Sequence, residues 1–125
     1  MERTMRRYAR IGTGIIERGS NSNGSYIKFG DGTLICYGTS GNILVDTAYG
    51  AGFFSGNAYF QATFPCAFIS NPKFYGTPIQ TLGAWYWLSA TGSAGLLNGP
   101  PVRAFGFANG YTCQCEWLAV GRWKA

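Results

Sequence analysis

Between residues 111 and 123 apolar side chains fall on every second position. Tyr111, Cys113, Cys115, Trp117, Ala119, Gly121 and Trp123 share one face. The other face begins polar with Gln114 and Glu116, then turns apolar with Leu118 and Val120. A period of two predicts a long final strand. Its second half should be covered on both faces, by another sheet or a neighbouring subunit. A second alternation runs over Tyr59–Phe64, with Ala58, Phe60, Ala62 and Phe64 on one side, and Pro65 ends it. Ser25–Phe29 and Thr33–Tyr37 flank Gly30-Asp31-Gly32, a strong hairpin signal because Asp-Gly tolerates the positive φ of a tight turn. Asp31 is therefore read as a turn former. Further strands are expected over 73–82 (with a bend at Gly76 and Pro78), 84–90 and 102–107, with Asn109-Gly110 as a second hairpin turn. Residues 12–24, 38–57 and 91–101 are rich in Gly, Ser and Asn and read as a hinge and loops, with room for one short strand at the apolar run Ile43-Leu44-Val45. No useful helical period follows residue 12, and no repeat occurs. The pattern predicts an all-β fold: a small antiparallel β-sandwich of about seven or eight strands.

The first 14 residues stand apart as a basic arm and hinge, leaving 15–125 as the sandwich. Arg3, Arg6, Arg7 and Arg10 recur at helical spacing, and Met1, Met5 and Tyr8 form another stripe. A segment this short is a marginal helix alone and orders by docking. These four arginines belong to ten basic residues in a chain of net charge +5, so the remainder is near neutral. The charge suits nucleic acid or, as favoured here, an acidic protein surface.

Charged residues make up only 12% of the chain against 46% hydrophobic and 17% aromatic. Average soluble domains carry about 25% charged residues, so apolar surface is expected to be left for a partner, and an oligomer follows. The chain has no His, and its acids are Glu2, Glu17, Asp31, Asp46 and Glu116. A Ser-His-Asp triad, a Cys-His pair and a His-based zinc site are excluded within one chain. A two-carboxylate glycosidase is formally open but disfavoured. No enzyme, cofactor or metal is expected. No apolar run of about 20 residues exists to span a membrane, and the basic N-terminus lacks the apolar stretch of a secretory signal.

Cys36, Cys66, Cys113 and Cys115 lack zinc-knuckle spacing. Residues 113 and 115 lie about 6.5–7 Å apart along a strand, beyond easy disulfide reach. Four buried thiols in a reducing compartment are expected; the alternative pairs Cys36 or Cys66 with Cys113 or Cys115.

The stretch Ile15–Cys36, with Ser20-Asn21-Ser22-Asn23-Gly24, an aromatic strand, Asp31-Gly32-Thr33 and then an apolar strand, resembles C-terminal domains of bacteriophage and prophage tail fibres. Phe64-Pro65-x-Ala67-Phe68, Asn71-Pro72 and the terminal Trp117–Trp123 follow in the same order. The resemblance spans about residues 15–125. It implies a β-sandwich shaped like H-type lectin domains, a homotrimer at a fibre tip, and attachment to the host surface. A fibre domain normally follows a long shaft, whereas here a short arm precedes the motif. The arm would dock the domain to tail or capsid proteins through Arg3, Arg6, Arg7, Tyr8 and Arg10. The protein would be made in the bacterial cytoplasm and displayed on the virion.

A receptor site of this kind needs rigid contact groups, and aromatic rings suit the apolar faces of sugars. Trp85, Tyr86 and Trp87 beside the loop ending at Asn98 form the first candidate cluster. Tyr49, Phe53, Phe54 and Asn57 form the second. For both, burial in the core or between subunits is the competing explanation. Three function readings follow. The first is a fibre or spike tip that binds a host glycan. The second is a structural connector, cap or decoration protein held by the arm. The third is a secreted lectin-like protein.

Overall fold

The computed structural model of the chain describes residues 14–50, 52–56, 60–80, 86–90, 92–107 and 109–125. Among them there is no helix, and the fold is all-β and antiparallel as expected. Among the described residues nine strands form it, close to the seven or eight expected: β1 (Ile15–Asn21), β2 (Gly24–Phe29), β3 (Thr33–Thr39), β4 (Ile43–Gly50), β5 (Phe53–Gly56), β6 (Lys73–Gln80), β7 (Tyr86–Ala90), β8 (Val102–Gly106) and β9 (Tyr111–Arg122). They run in the order β1-β2-β3-β9-β4-β5-β8-β7, with β6 on the remaining edge of β9.

β9 is the shared spine. One of its edges pairs with β3 over Glu116–Arg122 and with β4 over Tyr111–Cys113; the other pairs with β6 over Cys113–Val120. Two sheet halves thus meet on one strand. The change of partner is bridged by Ser40, whose N–H donates to the Cys115 carbonyl at 2.8 Å and whose Oγ accepts the Cys115 N–H at 2.7 Å.

The Asp31 turn forms as read. The Asp31 carboxylate accepts the Thr33 N–H at 2.9 Å, and Gly32 takes φ +100°. The turn at 21–24 is built the same way: Asn21 Oδ1 accepts the Asn23 N–H at 2.8 Å, and Gly24 takes φ +136°. β1, which falls in the segment read as a hinge, is exposed along almost its whole length and hangs on β2, so it carries no alternation.

Four other expectations are corrected. Asn109-Gly110 does turn the chain, with Gly110 at φ +83°, but β8 and β9 do not pair; β4 and β5 lie between them. The Gly110 N–H instead donates to Val45 of β4 at 2.9 Å. The segment over 38–57, read as a loop around one short strand at Ile43-Leu44-Val45, holds two strands, β4, which starts at that run, and β5, joined by a bulged register that blurs the period of two. The Tyr59–Phe64 alternation marks facing correctly, with Ala62 and Phe64 buried and Gln61 and Thr63 exposed. Yet the segment makes only isolated bridges, Phe60 to Val102 and Thr63 to Asn98, while Ala58 and Tyr59 lie outside the described residues. β6 pairs in unbroken register through Gly76 and Pro78, as an edge strand tolerates.

The main core lies between the inner face of β3, β9 and β6 and the irregular segments 60–72 and 92–101. These segments are tied to each other by Phe64 N–H to Leu97 O (2.8 Å) and Phe68 N–H to Leu96 O (3.0 Å). Leu34, Cys36, Phe64, Phe68, Cys115, Trp117 and Ala119 are buried in it. Phe74 stacks on Trp117 at 6.0 Å, and Phe64 meets Phe68 edge-on at 5.1 Å. Each such ring contributes about 1.5–3 kcal/mol by leaving water. A smaller core of Val45, Ala104 and Cys113 fills the other half. All four cysteines are free thiols, so the alternative disulfide pairing does not occur. Burial pushes the Cys36 thiol up to about 12 and the Cys115 thiol up to about 11.

Candidate functional site

The outer face of β3, β9 and β6 carries the apolar second half of the final strand, and among the described residues no second sheet covers it. Leu118 is not covered within the chain; it is 38% exposed. Tyr37 on β3 and Tyr75 on β6 both pair with Leu118, one from each side, and are 43% and 58% exposed. The three side chains therefore form one row across the sheet. The next row is Thr39–Glu116–Thr77, polar throughout and exposed. Together with Gly38 and Trp117 these residues line a groove of about 420 Å³, apolar at one end and hydrogen-bonding at the other. Small-molecule sites have this make-up, at about 300–1,000 Å³.

Local sequence explains why the groove is formed. Trp117 points inward between Gly38 and Gly76, its cross-strand partners. A Cβ at residue 38 would come within 2.9 Å of the Trp117 ring. Gly38 thus lets the largest side chain sink into the core. Its strand neighbours Glu116 and Leu118 consequently face out.

Beyond Tyr37 a second, shallower depression is lined by residues including Arg18, Ser20 and Ser25. Further along β2, Lys28 lies 3.4 Å from Glu17 and 5.2 Å from the Trp123 ring, and Tyr26 Oη donates to Glu17 at 2.6 Å. The bond from Tyr26, and then Lys28, holds the Glu17 carboxyl below its ordinary value; the same contact with Glu17 raises the Tyr26 phenol.

The sequence candidates are placed elsewhere. Tyr86 and Trp87 belong to β7, opposite Gly106 and Phe105 of β8; their side chains, and Trp85 entirely, lie outside the described residues. Asn98 is half-buried and its carbonyl accepts the Gly95 N–H at 2.8 Å. Tyr49 sits on β4 and Phe53 on β5, with undescribed side chains, and Asn57 lies outside the described residues. Phe54 packs against the smaller core. Phe54 and Tyr86 pair with Gly106 from opposite sides, which brings the two candidate clusters onto one sheet half. Arg3, Arg6, Arg7, Tyr8 and Arg10 lie outside the described residues. Sequence reasoning passed over Tyr37, Tyr75 and Glu116. The switch from Glu116 to Leu118 on the even face of β9 was the available signal. Among the described residues no group of three His, Cys, Asp or Glu could hold a metal ion.

Solved structures share this strand framework. An R1 pyocin fibre of P. aeruginosa, comprising C-terminal residues 323–701, superposes with a TM-score of 0.56 at 16% identity, over 90% of this chain and 30% of that one. An N-truncated R1-type pyocin tail fibre gives 0.55 at 14% identity, over 90% of this chain and 91% of that one. The fold is that of a pyocin tail-fibre C-terminal domain. A P. aeruginosa R2 pyocin fibre comprising C-terminal residues 323–691 gives 0.50 at 17% identity, and the chain spans 28% of its length. No family model matches the chain, and no curated protein is significantly similar to it. The tail-fibre likeness is therefore one of architecture, and the groove described above lies on the outer face of that architecture.

Proposed function

We propose that the chain is a non-enzymatic tip or spike domain of a phage-like particle, attaching the particle to a carbohydrate on the host cell surface. The observation that carries this reading is the tail-fibre strand framework, shared over nine-tenths of the chain. Homotrimerisation belongs to the same reading. It is supported by large apolar side chains left exposed on the covering segments, Ile69, Leu96 and Leu97 among them. Three copies turn weak single contacts into firm attachment by avidity. Residues 1–14 are assigned to docking on other particle proteins, and 15–125 to the attachment domain.

The test uses the full chain, fluorescently labelled, incubated with a panel of Gram-negative cells, alongside sedimentation equilibrium at micromolar concentration. A trimer retained by at least one strain supports the reading. A monomer retained by none overturns it in favour of a connector or cap.

A further inference from the structure

Resting on the attachment reading, we infer that the groove between Tyr37 and Tyr75 is a saccharide subsite selective for one uncharged pyranose over carboxylated or phosphorylated sugars. Three observations carry it: the spacing of the rings, the chemistry of the row beside them, and its charge.

Tyr37 and Tyr75 stand on strands separated by β9 alone, with both residues in register with Leu118. Two strand spacings place their attachment points about 9–10 Å apart. A flat ring in contact with an aromatic ring on each side, at about 4.0–4.5 Å, needs about 8–9 Å. One pyranose fits this gap with its apolar C–H faces toward the tyrosines. Leu118 lies between them as an apolar floor. A sugar lying there presents its equatorial hydroxyls to the adjacent row. That row offers two hydroxyls, on Thr39 and Thr77, and the Glu116 carboxylate, which accepts only. Apolar walls and floor with a hydrogen-bonding row beside them suit a polyol with apolar faces better than a peptide or a lipid.

Charge decides the class of sugar. Glu116 is the charged residue of the lining, which contains no Lys or Arg. A carboxylate or phosphate directed at the Thr39–Glu116–Thr77 row would face the Glu116 carboxylate, whereas the cations of this face, Lys73 beside Tyr75 and Arg18 beyond Tyr37, lie on the other side of the tyrosine row.

The experiment is an aromatic NMR titration of the full chain with methyl glucoside, methyl galactoside and N-acetylglucosamine. Galacturonic acid and N-acetylneuraminic acid serve as charged probes. At least one uncharged sugar should shift the Tyr37 and Tyr75 ring signals, and the acids should bind about tenfold or more weakly, as one unfavourable contact of this size gives. Both tyrosines are exposed, so Tyr37→Ala and Tyr75→Ala should fold, and each should abolish the response. Glu116→Gln should shrink the gap between neutral and acidic sugars. Absence of any shift with the uncharged sugars, an unchanged response in Tyr75→Ala, or equal binding of the acids overturns the proposal. So does a fall from trimer to monomer in Tyr75→Ala, which would put a second copy on this face. The two readings fail separately. Cells that retain the wild type and both tyrosine variants equally overturn the groove and leave attachment standing. Ring shifts with sugar but no retention by any cell leave the groove standing and overturn attachment.

Discussion

Ser40 holds Cys115 through two hydrogen bonds, giving its N–H to the Cys115 carbonyl at 2.8 Å and accepting the Cys115 N–H on its hydroxyl at 2.7 Å. Cys115 sits where the neighbour of β9 changes from β3 to β4, so no ladder partner is available there from either strand. Ser40→Ala leaves a buried N–H without an acceptor and should cost about 1–3 kcal/mol. Urea unfolding of the two proteins measures this. A midpoint unchanged with unchanged slope would contradict the role given to the hydroxyl.

Gly38 beneath Trp117 gives a second prediction. The ring atoms nearest a new Cβ belong to a buried, stacked indole that cannot swing aside. Gly38→Ala should therefore destabilise by about 1–3 kcal/mol through overpacking. The same substitution at Gly41, where a Cβ meets nothing within 4 Å, should be far milder. Thermal unfolding of the pair separates a packing effect from a general effect of replacing glycine.

The thiols should differ in reactivity. Cys36, Cys113 and Cys115 are buried and their pKa values raised by desolvation, whereas Cys66 is half-buried. A thiol reagent at pH 8 should modify Cys66 first in the native protein, because its sulfur is the more accessible and burial keeps the other three thiols protonated. All four should titrate after denaturation without reductant. Fewer than four would contradict the free thiols described above.

Stability should fall in acid. The backbone N–H of Thr33 holds the Asp31 carboxyl below its ordinary value, and Tyr26 with Lys28 does the same for Glu17. Both groups have folded values below unfolded ones. Their contribution is present above the unfolded carboxylate range and is lost as pH falls through the folded values. Asp31→Asn should flatten the acid limb of a stability-against-pH curve. An acid limb identical to that of the wild type would remove Asp31 from the account.

Strands with one buried and one more exposed face were legible in the sequence: β3 and the first half of β9 follow the period of two, and Asp31-Gly32 marked the turn between β2 and β3. The alternation in β9 also located Cys113, Cys115, Trp117 and Ala119 in the core. β1 was not legible because no part of it is buried. Of β4 only the run Ile43-Leu44-Val45 could be read, and β5 could not, because their register slips twice. The partner of β9 across the Asn109-Gly110 turn could not be read, since a turn's residues fix its geometry but not which strand comes alongside. The groove was half legible. Leu118 and Val120 marked the outer face of β9 as unusual, but that Tyr37 and Tyr75 flank Leu118 is a consequence of strand order.

The most direct test of the attachment account is retention of the labelled chain by bacterial cells before and after mild periodate oxidation, which cleaves the vicinal diols of surface sugars. The account predicts retention by a susceptible strain and its loss after oxidation. Retention that survives complete oxidation would contradict it.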